Sequence, residues 1–144
     1  MAIQNSRKDR REVRSLRKLV EVKEGIITEK QIQFSIEANE PFEAVEAAGK
    51  MLADSDECAF VYVVDTGTEY IYVHFKQHTW AVLAEALQRT EVPLLQWGKQ
   101  IMPLSAFHEE MWMLIENIEG NDNYGEVFRT AVEEVFQEAL ASRS

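Results

Sequence analysis

The sequence predicts a single α+β domain, and three observations carry that prediction. Apolar residues alternate with polar ones in two stretches of the first half, as half-buried strands require. Through roughly the last 65 residues they recur instead at helical spacing. The length of 144 residues and the 46% apolar share suit one core, with no repeat, low-complexity segment or linker to divide it. The expected architecture is an antiparallel sheet with a central 59–75 hairpin, packed by helices. Two helices at the C-terminus are expected to form an antiparallel pair.

The elements follow in order. Residues 1–17 read as a basic flexible arm and 18–144 as the domain. "SRKDRREVRSLRK" has few apolar residues, and residues 1–18 hold seven Lys or Arg against Asp9 and Glu12, a net +5. The remainder of the chain nets −15 within a total of −10. A body this acidic repels nucleic acid and anionic membrane, which leaves only the arm for such anions. Val20 and Val22, then Ile32, Phe34 and Ile36, alternate as two strands, with Glu24-Gly25 as the turn between them. Asn39 and Pro41 announce a helix, in which Phe42, Val45, Ala48 and Leu52 fall at helical spacing.

Two β-rich runs come next, "AFVYVVD" and "EYIYVHF", joined at Thr66-Gly67. "QHTWAVLAEALQRT" then reads as a helix with Trp80, Leu83, Ala84 and Leu87 on one face. "VPLLQWGKQIMPL" is a short strand or irregular pair between prolines. In "SAFHEEMWMLIENIE", Phe107, Met111, Leu114, Ile115 and Ile118 face inward from a helix that Ser105 is placed to cap. A last helix is expected from Gly125 to Ala141, its stripe being Phe128, Val132, Val135, Phe136 and Leu140.

Asp65-Thr66-Gly67 matches the catalytic tripeptide of an aspartic protease. That chemistry needs two carboxylates sharing one proton, which a single copy supplies only across a dimer. It also needs a largely β fold with a glycine-rich flap, and this chain has six glycines and a helical C-terminal part. A three-residue hairpin loop explains the same letters, with Gly67 in the left-handed position. Such a loop sets Val64 opposite Thr68, Tyr62 opposite Tyr70, Phe60 opposite Tyr72 and Cys58 opposite His74. Phe60, Tyr62, Tyr70, Tyr72 and His74 then share an aromatic face, while Ala59, Val61, Val63, Ile71, Val73 and Phe75 form an aliphatic one. The aliphatic face is expected to be core. The aromatic face is the candidate surface for a protein partner or a homodimer if helices leave it open, and a second core layer if they cover it.

Other constellations carry no chemistry. "EGNDNYGEVF" resembles a calcium loop, but Tyr124 stands where glycine is obligatory and Thr130 where the last glutamate should be. His74 ends a strand and His78 begins a helix, so their four-residue spacing does not place them on one helix face. His108 has no neighbouring histidine or cysteine in sequence, and "DSDE" at 54–57 reads as a solvated loop. Cys58 has no local cation to activate it and cannot form an intrachain disulfide, which reads as packing in a cytoplasmic protein. No P-loop, dinucleotide fingerprint or nucleophile elbow is present, no apolar run is long enough to span a bilayer, and no secretory signal follows the basic start. Catalytic, cofactor and metal residues are therefore all expected to be none.

"AAGKMLADSDECAFVYVVD", "HTWAVL", "FHEEMWMLIENIEGNDNYGEVF" and "VEEVF" together resemble the YjbL-like family of short cytoplasmic proteins of Bacillus, Staphylococcus and their relatives. The resemblance spans about residues 18–139. It implies a cytoplasmic bacterial protein with no established activity, cofactor or catalytic residue to carry over, and it leaves residues 1–17 outside the family's usual extent. The expectation is a non-enzymatic, cytosolic interaction or regulatory module. The alternatives are a small-molecule enzyme with an unrecognised site, or anion binding, to nucleic acid or membrane, through the basic arm.

Overall fold

A computed structural model describes residues 18–36 and 46–143. The 1–17 arm and the predicted helix start at Asn39 and Pro41 lie outside the described residues. Seven strands make one sheet: β1 (Lys18–Ile27), β2 (Ile32–Ile36), β3 (Glu46–Asp54), β4 (Ala59–Asp65), β5 (Tyr70–Lys76), β6 (Leu94–Trp97) and β7 (Gln100–Pro103). Among the described residues the α-helices are α1 (Trp80–Gln88), α2 (Phe107–Ile118), α3 (Glu126–Val135) and α4 (Gln137–Arg143). The α+β class stands, but the sheet is mixed. Its order is β3-β4-β5-β1-β2-β6-β7, with β1 parallel to β5 and β2 parallel to β6 among otherwise antiparallel neighbours. The sheet curls, so that its two edges, β3 and β7, approach one another.

Three local expectations change. β1 continues as a strand through Glu24-Gly25, with a register shift between Val22 and Glu24, and the turn to β2 lies at Thr28–Gln31, where the Thr28 N–H donates to the Gln31 carbonyl at 2.9 Å. The expected helix across Ala48 and Leu52 is β3, an edge strand antiparallel to β4. Its helical spacing is overruled by pairing: Met51 and Ala53 turn inward, Leu52 outward, and the register breaks between Ala47 and Met51 around Gly49, whose φ is 69°. The last predicted helix is two, α3 and α4, separated at Phe136.

The β4–β5 hairpin forms where expected but with a four-residue loop, Thr66–Glu69. The Thr66 N–H and Oγ1 both donate to the Glu69 carbonyl, at 3.0 and 3.1 Å. Asp65 pairs with Tyr70, Tyr62 with Val73, Val61 with His74 and Phe60 with Phe75. The register sum differs from the three-residue loop by an odd number, so one strand is turned over relative to the other. Phe60, Tyr62 and Val64 therefore share the inner face with Ile71, Val73 and Phe75, while Val61 and Val63 share the outer face with Tyr70, Tyr72 and His74. β4 is buried on both faces from Ala59 to Val64, which is why it reads as an unbroken apolar run rather than an alternation.

The described helices gather on the inner face. Trp80, Phe128 and Phe136, from α1, α3 and the α3–α4 junction, surround the Phe60 ring at centroid distances of 5.1, 6.0 and 5.7 Å. Trp80, Leu83 and Leu87 of α1, with Phe107, Met111, Leu114, Ile115 and Ile118 of α2, are buried in the same cluster, as their spacing predicts. Gly25 sits under this packing. A β-carbon there would stand 2.8 Å from the Phe34 ring and from Val82 Cγ1.

Candidate functional site

The five aromatic-face residues do not assemble. Phe60 and Tyr62 have no exposed surface, Tyr70 is 54% exposed, Tyr72 is half-buried and His74 is buried on the opposite face of the sheet. Tyr62 has a structural task instead. Its hydroxyl donates to the Ser105 carbonyl at 2.6 Å, and burial pushes its ionisation up, partly offset by hydrogen bonds to Ser105 and Gly49. Ser105 does not cap α2. The residue before the helix is Ala106, in the left-handed region at φ 62°, and the Ser105 carbonyl is turned toward Tyr62. Next to this contact the Glu110 carboxylate accepts the Met51 N–H at 2.9 Å, so α2 clasps the edge strand β3.

The other singled-out residues have ordinary duties. Asp65 Oδ1 accepts the Gly67 N–H at 2.7 Å, so the carboxylate of the Asp-Thr-Gly stretch holds its own turn. Cys58, at φ 52°, does have a cation near it, Lys76, but desolvation is the larger effect and keeps its thiol pKa raised. In the "EGNDNYG" segment Asn121 Oδ1 accepts the Asn123 N–H at 3.0 Å, capping the short turn Asp122–Tyr124, and Asp122 pairs with Arg129 at 3.3 Å. Gly120 follows α2 in the left-handed region, at φ 67°, where glycine meets no β-carbon penalty. The described residues contain no group of three His, Cys, Asp or Glu placed to hold a metal ion. None of their helices is long and apolar enough to cross a membrane. His78 Nε2 lies 3.0 Å from the Lys23 carbonyl.

A surface that sequence reasoning missed lies on the solvent side of α2. Here an open groove of about 990 Å³ is lined by His108, Glu109, Trp112, Met113, Glu116 and, from the end of α4, Arg143. Trp112 is half-buried and Met113 is 54% exposed. The Arg143 guanidinium lies over the Trp112 ring, 4.2 Å from its centroid, and Nη2 reaches Glu116 Oε2 at 3.4 Å. His108 Nε2 is 2.7 Å from the Arg89 carbonyl and 3.1 Å from that of Ala86. Carbonyls only accept, so Nε2 carries a proton and is the donor to both. The groove thus offers an indole face, a thioether, carboxylates and one guanidinium. The signal was present in the sequence: Trp112 and Met113 are large apolar residues that fall off the buried stripe of their own helix.

Comparison with known proteins places these features in a family context. A model of a family of unknown function (UPF0738) matches residues 20–136. A UPF0738 protein of Lysinibacillus sphaericus is 36% identical over 126 residues, covering 88% of this chain and 99% of that protein. UPF0738 protein YjbL of Bacillus subtilis is 32% identical over 117 residues, covering 81% and 96% respectively. A Staphylococcus haemolyticus relative is 38% identical over 104 residues, covering 69% and 82%. No solved structure matches.

Proposed function

Because the chain belongs to UPF0738, a family of unknown function, we propose from its own geometry that it is a non-enzymatic, cytosolic interaction module whose working surface is the groove along α2. The observation that carries this reading is the pairing of Trp112 and Met113 on the solvent side of an amphipathic helix whose other side is already filled by core. Tryptophan and methionine are enriched where proteins meet, and here they stand beside charged residues suited to a polar rim. We take α2 and α3 as an antiparallel pair that stiffens this surface. In support, the Gly120 N–H donates to Glu133 at 2.7 Å, and Asn117 Nδ2 donates to the Tyr124 hydroxyl at 2.8 Å. Tyr70 and Tyr72 form a lesser candidate for a homodimer contact, since Phe60 and Tyr62 are committed to the core.

The test is affinity capture from a Bacillus lysate with the wild-type chain and with Met113→Asp. This exposed substitution changes the groove without touching the core. A protein retained by the first and lost by the second is expected. Identical captures, together with an unchanged elution volume on sizing chromatography at all concentrations, would count against the groove as a working surface.

A further inference from the structure

We propose that the Trp112–Glu116 pair is a receptor for a guanidinium group, that its partner is a basic, arginine-bearing peptide segment, and that Arg143 is a resident occupant which such a segment displaces. The proposal rests on the groove being an interaction surface and names what binds there. Residues four apart on a helix are neighbours on one face, so α2 presents an indole and a carboxylate side by side. A guanidinium is the side-chain group that uses both, because it is planar enough to stack on an indole and forked enough to meet a carboxylate in the same pose. The chain demonstrates the fit on itself. Arg143 stacks on Trp112 at 4.2 Å while approaching Glu116 at 3.4 Å.

That internal contact is built to be released. Arg143 is the last residue of α4 and its side chain is 48% exposed, with Glu116 at 46%. A pair this open to water gains little over its hydrated components. The groove is also larger than one side chain needs, and continues past Met113 to Glu109 and His108. Those neighbours offer an apolar contact, a second carboxylate and a ring nitrogen to the residues flanking the incoming arginine. Charge favours the same occupant. Glu109 and Glu116 outnumber Arg143 in the groove, and everything after residue 18 carries a net −15. Displacing Arg143 would leave both carboxylates to the visitor.

The probe is a labelled peptide with the sequence SRKDRREVRSLRK, which this chain itself carries at residues 6–18, and a second peptide with every Arg changed to Lys. Binding is read by peptide anisotropy at fixed ionic strength and by quenching of tryptophan emission. Quenching reports chiefly on Trp112, since Trp80 and Trp97 are buried. Saturable binding of the arginine peptide is expected. It should be about fivefold tighter to Arg143→Gln, because the competitor is gone. It should be about tenfold weaker to Trp112→Ala, and weaker also to Glu116→Gln, an exposed change that leaves packing alone. The lysine peptide should bind less well, with less quenching. Equal affinities for the two peptides, or an Arg143→Gln variant indistinguishable from wild type, would overturn the guanidinium receptor. Loss of a captured protein on Met113→Asp, seen alongside that result, would leave the groove as an interaction surface with a different ligand.

Discussion

Gly25 shows how much a single residue can owe to a neighbour far away in sequence. Nothing about "EGII" distinguishes a turn from a strand interior, and the turn is the natural inference from Glu24-Gly25. The structure needs glycine there for space, because the Phe34 ring and Val82 Cγ1 occupy the position a side chain would take, each at 2.8 Å. Gly25→Ala should therefore destabilise the fold by about 1–3 kcal/mol through overpacking, measured as a lowered urea midpoint with an unchanged slope. Tyr62 gives a second prediction, one that depends on pH. Its phenol is held protonated by burial, above the ordinary value of 10.0. An unfolded chain releases that proton first as pH rises, so the native state binds more protons and stability must fall with pH through that range. The contribution is fully present below pH 10 and lost above it. Tyr62→Phe lacks the hydroxyl bond to Ser105, which should cost about 1 kcal/mol at neutral pH. The gap between wild type and variant should then shrink as pH rises past 10 in chemical unfolding. A gap that stays constant would mean the phenol ionises alike in both states.

At the scale of elements, the sequence was most legible where burial is one-sided and least where pairing decides. α1 and α2 face the core with the residues their spacing names, because a helix surface is fixed by its own period. β3 was misread for the same reason. Its alanines and Leu52 satisfy a helical period, and only β4, lying alongside, forces them into an alternation. The hairpin failed by parity: one residue more in the loop and a shifted register were enough to part Phe60 and Tyr62 from Tyr70, Tyr72 and His74. The groove was half legible, since Trp112 and Met113 announce themselves off the stripe, whereas Arg143 arrives from another helix. Edge protection was not legible at all, because it joins residues 59 positions apart. Glu110 satisfies the Met51 N–H on β3, and Met51 is buried, so truncation leaves that donor without its carboxylate. Glu110→Ala should cost about 1–3 kcal/mol in thermal or urea unfolding. Glu109→Ala, one residue earlier and exposed, should stay within about 0.5 kcal/mol. Equal costs would show that the clasp contributes nothing beyond helix propensity.

For the whole molecule, charge is the property that acts at long range. The chain carries 25 acidic against 15 basic residues, a formal −10, yet residues 1–17 hold six of the basic residues and only two of the acidic ones. Without them the formal charge is −14, because four net positive charges leave with the segment. Compacting like charges costs free energy through self-repulsion, and salt screens that repulsion over about 10 Å at 0.1 M. The partly exposed ion pairs Arg89–Glu85 and Arg129–Glu133 work in the other direction, since salt weakens them, but each is worth about 1 kcal/mol or less. Net repulsion should prevail. The melting temperature of the full chain is expected to rise as sodium chloride increases from 10 to 500 mM on the order of a Debye-length contraction from 30 to about 4 Å. A chain beginning at Lys18 should rise more steeply over the same range, having lost part of its internal neutralisation. Differential scanning calorimetry on both chains at each salt concentration measures the two slopes directly. Parallel slopes would mean that the positive charges of residues 1–17 do not offset the acidic body in the folded chain, and a falling slope would mean that local ion pairs outweigh the global field.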